Sequence, residues 1–174
     1  GGIRGRDGSH VDLDSKDFRF HPETGVVEGL VGQTQFGRPR DDWGHWFGSD
    51  NLRPGWLYLM DDRDLGRNPY IQTPNLKKPL TDPPAAGPVY PASRTLSRFN
   101  DYDTANRFTS VCNLMIYRGD ALGSNFYGNA FVCEPVHNLV SRRILDLGAP
   151  VPGTRAPDET QSEFFASTDN WCRP

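Results

Sequence analysis

The chain is 174 residues long and 36% hydrophobic, enough to bury the core of one domain. Eighteen glycines and fifteen prolines leave little room for long helices and favour a turn-rich β architecture, which excludes a coiled coil or helical bundle. The net charge of -3, without a basic run beyond isolated pairs, lacks the electrostatics of nucleic-acid binding, and no apolar stretch reaches membrane-spanning length.

The first strands are predicted within 17–31, where Phe18 and Phe20 alternate with polar neighbours, residues 21–25 (His-Pro-Glu-Thr-Gly) turn, and Val26, Val27 and Leu30 return as a β-hairpin. Residues 33–37 should begin another strand, the polar segment 38–44 should turn, and His45, Trp46 and Phe47 should return, ending at 49–51. One more strand is expected within 52–60, around Trp56 to Met60. From Asp61 the pattern fails and Pro and Asp dominate, so 61–104 reads as an irregular insertion or a linker, and its length argues that it packs on something to stay ordered. The signal returns at Phe108, with strands over 108–117 and 127–133 joined by a loop through Gly119 and Gly123. Residues 136–147 read as a third strand or a short helix, and 163–166 as a fourth strand. Four short strands, a polar loop and a new start make the unit of a β-propeller blade. The expectation is an all-β chain forming a partial β-propeller: 1–60 ends one blade and starts the next, 105–168 is one complete blade, and 169–174 starts another.

Basic residues are mostly arginine, whose planar fork suits carboxylates and loop carbonyls; Lys16, Lys77 and Lys78 are the only lysines. Cys112, Cys133 and Cys172 lack C-x-x-C or C-x-x-C-H spacing, which excludes a zinc ribbon and covalent haem attachment within the chain. Cys112 and Cys133 face each other if their hairpin turns near 122–123, as a cross-strand disulfide suited to an exported protein or as two buried thiols. Cys172 reads as a packed small hydrophobe. Gly-x-Ser-x-Gly, a phosphate loop and a dinucleotide fingerprint are all missing, which disfavours serine hydrolases, nucleotide enzymes and NAD enzymes. The chain begins Gly1-Gly2 without an n-region or h-region, so a targeting segment is expected to have been removed or left out.

An ordered series of motifs carries a family resemblance: residues 17–25, 35–38, 41–51, 67–69, 107–112, 116–120, 131–140 and 167–174. Together they resemble the propeller domain of a membrane-bound dehydrogenase family abundant in planctomycetes and verrucomicrobia, whose members often append helical repeats and a haem-binding C-x-x-C-H domain. That propeller is similar to quinoprotein glucose and sorbosone dehydrogenases, which use pyrroloquinoline quinone (PQQ) and Ca2+. The resemblance covers nearly the whole chain and implies about three blades of a six-bladed ring, in an exported bacterial protein, periplasmic or secreted. The remaining blades and a cytochrome-like domain of its parent are the implied partners, a carbohydrate the implied substrate, and hydride transfer from sugar to quinone the implied reaction. The alternative is a propeller that binds carbohydrate or a protein partner without chemistry.

Propeller loops opening on one face would gather the polar candidates. Glu134 and His137, three residues apart beside Arg142 and Arg143, could take the hydroxyl proton of a substrate, or could hydrogen-bond each other and fix their loop. Gln35, Arg38, Asn138 and Arg142 are candidates for an anionic cofactor, or the arginines pair with nearby Asp. Asp50, Asn51 and Asp169 are candidate calcium ligands or loop caps. Asp41, Asp42 and His45 fall on the opposite face, as acceptors for turn amides. Trp43, Trp46, Trp56 and Trp171 could stack on sugars, although most are expected in blade cores.

Overall fold

The computed structural model describes residues 1–60, 62–68, 70, 76–93 and 105–174. The chain folds as two units, one comprising 1–34 and 60–74, the other 35–59 and 75–174, and every strand pairing within them is antiparallel. Helix among the described residues is confined to α1 (Asp62–Gly66) and the 3-10 turns Ser124–Phe126 and Pro157–Glu159. None of these is long and apolar enough to cross a membrane.

In the first unit, β1 (Gly2–Arg4) pairs with β2 (His10–Asp12), and β3 (Lys16–Phe20) with β4 (Val27–Val31). The β3–β4 hairpin turns where its sequence directs: the Gly25 amide donates to the His21 carbonyl at 2.8 Å, and Gly25 has φ +72, a region open to glycine. Val27 and Leu30 face inward, but Phe18 and Phe20 are exposed, because the buried position of β3 is Asp17. Its Oδ1 accepts the amide of Thr34 at 2.8 Å and the hydroxyl at 2.7 Å.

The strand expected at 33–37 does not form. Thr34 is tied to Asp17, the Gln35 amide donates to Ser49 O at 3.1 Å, and the chain bends towards Pro39. One large apolar side chain, Phe36, gives this run no face to bury.

The second unit holds two sheets. The smaller runs β5 (Phe47–Gly48), β6 (Trp56–Tyr58), β7 (Lys77–Pro79). Strand β7 lies inside the stretch expected to be irregular; its Lys-Lys-Pro sequence carries no alternation, and it is held by backbone pairing to β6, with Lys77 Nζ 4.4 Å from the Trp56 ring centre. Residues 94–104 of that expected insertion lie outside the described residues.

The larger sheet is the meander β8 (Cys112–Ile116), β9 (Ala130–Glu134), β10 (Leu139–Leu145). On the far edge of β10, β12 (Phe165–Ala166) pairs with Leu139 and Val140, while β11 (Gly153–Thr154) pairs with Ile144 and Leu145. The segment that could have been strand or helix is therefore a seven-residue strand. Leu114, Ile116, Ala130, Val132 and Leu139 turn one face of this sheet onto Phe47, Leu57, Leu80, Val89, Phe108 and Val111, forming the core. The opposite face carries Met115, Phe131 and Arg142, with the Phe131 and Phe164 rings edge-to-face at 4.9 Å. Strand β11 reaches the core because residue 153 is glycine: a Cβ there would lie 2.6 Å from the Leu80 carbonyl oxygen.

Candidate functional site

Strand β9 delivers Glu134 into the interior, and the turn at 135–138, closed by Asn138 at φ +57, brings His137 beside it. Glu134 is 0% exposed; its Oε2 accepts the amides of Thr109 at 3.1 Å and Ser110 at 2.9 Å, and its Oε1 lies 3.4 Å from His137 Nδ1. His137 Nε2 accepts the Asn106 amide at 3.2 Å, so Nε2 carries no proton and Nδ1–H donates to Glu134. Both carboxylate oxygens and both ring nitrogens are engaged. They fasten the 106–110 loop to the β9–β10 turn.

The other expected site residues have partners within the fold. Arg142 Nη2 lies 2.8 Å from Glu159 Oε1 and 3.6 Å from Asp158 Oδ1, with its guanidinium 4.6 Å from the Phe126 ring centre. Asn138 donates to Ser93 Oγ at 2.9 Å and accepts Arg173 Nη1 at 3.2 Å. Gln35 Oε1 accepts the Asn51 amide at 3.1 Å, and Arg38 stacks 4.2 Å from the Tyr58 ring centre. Asp50 caps the amides of Leu52 and Arg53 at 3.0 and 2.8 Å and pairs with the Arg53 side chain; Asp169 accepts the Trp171 amide at 2.9 Å. Among the described residues no group of three or more His, Cys, Asp or Glu side chains is placed to hold a metal. With Asp50 and Asp169 spent on their own turns and Gln35, Arg38, Asn138 and Arg142 engaged within the chain, this donor set fits neither Ca2+ nor the carboxylates of a quinone.

The expected turn acceptors divide. Asp41 accepts the Trp43 and His45 amides at 3.0 and 2.8 Å and lies 2.7 Å from His45 Nδ1. Asp42 instead reaches across to the β8–β9 loop, accepting Arg118 Nε at 2.5 Å and the Tyr127 hydroxyl. The Tyr127 hydroxyl first, then Arg118, hold the Asp42 carboxyl below the usual carboxylate range; the same bond to Asp42 and partial desolvation push the Tyr127 phenol up. Beside them Trp43 is 70% exposed, edge-to-face with Tyr127 at 6.5 Å. Of the tryptophans expected in blade cores, Trp56 is fully buried while Trp43 and Trp171 are exposed. The available signal for Trp43 was its place in the polar segment 38–44, where no apolar neighbour accompanies it.

A family model described as a domain of unknown function, DUF7133, matches residues 1–174. The chain belongs to the DUF7133 family. No curated protein and no solved structure matches it.

The cysteines of this DUF7133 domain are free thiols, with Cys112 and Cys133 directly opposite in the β8–β9 register. The pair precedes a β-bulge at Asn113, which takes φ +64, a conformation Asn tolerates. Burial, followed by the charge of Cys112, pushes the Cys133 thiol pKa up.

Proposed function

We propose that this chain supplies blades to a β-propeller of an exported bacterial protein and binds carbohydrate without redox turnover. Support for the propeller comes from the four antiparallel rows of the β8–β12 sheet, packed core to core with the β5–β7 sheet, and from the motif resemblance. The observation that carries carbohydrate binding is Trp43: a 70% exposed indole edge-to-face with Tyr127, beside a carboxylate held by Arg118. An aromatic face for sugar C–H groups next to a fixed acid–arginine pair for sugar hydroxyls is a saccharide platform. The dehydrogenase reading ranks behind it because Glu134 and His137, its proposed proton acceptors, are engaged by backbone amides and each other.

The test is a fluorescence titration of the full chain with neutral hexose oligosaccharides. Saturable binding weakened tenfold or more by Trp43→Ala, about 1.4 kcal/mol, is expected. Parallel assays with PQQ, Ca2+ and an artificial acceptor should show no saccharide-dependent reduction. Binding indifferent to Trp43→Ala overturns the platform, and acceptor reduction that falls in His137→Gln restores the dehydrogenase.

A further inference from the structure

We infer that a pocket on the core side of β10 receives the carboxylate of a small anionic ligand through the guanidinium of Arg143. Alternation along β10 sends Arg142 to the outer face and Ser141 and Arg143 towards the core. The pocket holds about 390 Å3, and Arg143, Arg155, Thr81, Thr154, Tyr90 and Phe108 are among its lining residues. Asp82 is its one acidic lining residue.

Arg143 is only 6% exposed, yet it has no carboxylate within ion-pair distance among the described residues. Its neighbours do: Arg142 has Glu159 and Arg155 has Glu163, each at 2.8 Å. Arg143 Nη1 donates to Ser141 Oγ at 2.8 Å and to the Arg142 carbonyl at 2.7 Å. Nε and Nη2, which share one edge of the guanidinium, make no hydrogen bond among the described residues. That edge offers two parallel N–H donors, the geometry a carboxylate fills bidentately. Glu163 and Glu159, already paired with Arg155 and Arg142, favour the Arg143 charge only from beyond contact distance, so this buried cation has no counter-ion of its own. Burial first, then the charge of Arg155, lower its pKa to about 10, which leaves it charged at neutral pH. Phe108 and Tyr90 give apolar walls, Thr81 and Thr154 give hydroxyls, and the volume suits a sugar acid.

Calorimetric titration of the full chain at low salt uses three probes: glucuronate, glucose and inorganic phosphate. Glucuronate should bind saturably, glucose should not, and phosphate should bind more weakly than glucuronate. Arg143→Gln should weaken glucuronate at least tenfold, and Arg143→Lys, which keeps the charge but loses the fork, should weaken it too. The melting temperature of ligand-free Arg143→Gln should stay within a few degrees of the wild type, because removal of a buried charge offsets the lost bonds to Ser141 and the Arg142 carbonyl. Thr154→Tyr, at an exposed lining position, gives a second variant that should block the pocket. Glucuronate binding unchanged in Arg143→Gln, phosphate binding in its place, or a melting temperature lowered by several degrees with no loss of binding each overturns the inference. Neutral-oligosaccharide binding dependent on Trp43 should be untouched by Arg143→Gln, so failure of one site is separable from failure of the other.

Discussion

Replacing Glu134 by Gln conserves shape and removes one charge, and the geometry allows no comfortable arrangement for the amide. Its single carbonyl can satisfy either the Thr109 and Ser110 amides or the His137 Nδ1–H. With the carbonyl towards the amides, the new NH2 faces a ring N–H. Moving the ring proton to Nε2 relieves that clash but points a donor at the Asn106 amide, itself a donor. One buried donor is therefore left unmatched, at about 1–3 kcal/mol, and the surviving bonds lose their charge assistance, about 1 kcal/mol more. The expected loss is roughly 2–4 kcal/mol, read as a lower urea midpoint at unchanged slope. Glu134→Gln within about 0.5 kcal/mol of the wild type would refute the amide clamp, and with it the argument that this pair is unavailable to a substrate.

Three further outcomes can be checked on the same protein. Gly153→Ala places a methyl 2.6 Å from the Leu80 carbonyl oxygen and 3.4 Å from Arg143 Cβ, and should lower thermal stability by about 1–3 kcal/mol. Leu114→Ala, at a 1% exposed core position, should destabilise by about 2–5 kcal/mol in urea unfolding. Because the Cys133 thiol is pushed up, a smaller fraction is thiolate near pH 8; iodoacetamide should alkylate it more slowly in the folded chain than in urea, and the difference should shrink as pH rises.

The strands that were legible in the sequence are those whose apolar residues alternate against turn signals. Residues 112–116, 130–134 and the 16–31 hairpin carry both, and each formed within a few positions of its expected bounds. Strand β7 was not legible, since Lys77, Lys78 and Pro79 owe their conformation to the edge of β6. At 33–37 the error ran the other way: local alternation gave way to the capture of Thr34 by Asp17, seventeen residues earlier. For the site, spacing correctly suggested that Glu134 and His137 meet, but could not say that the amides of residues 106, 109 and 110 would occupy them. Arg142 and Arg143 are chemically identical in the sequence; only the parity of β10 gives one a glutamate and the other an open pocket.

The two borders of the large sheet have a bearing on solubility. Along β10 the outer border is split, with β12 covering residues 139–140, β11 covering 144–145, and no described strand pairing there with 141–143. The opposite border, β8, is dislocated at Asn113. An incoming strand from another molecule would find no straight, unbroken row of amide and carbonyl groups on either side, so stacking of copies into fibrils is opposed by the same irregularities that shape the sheet.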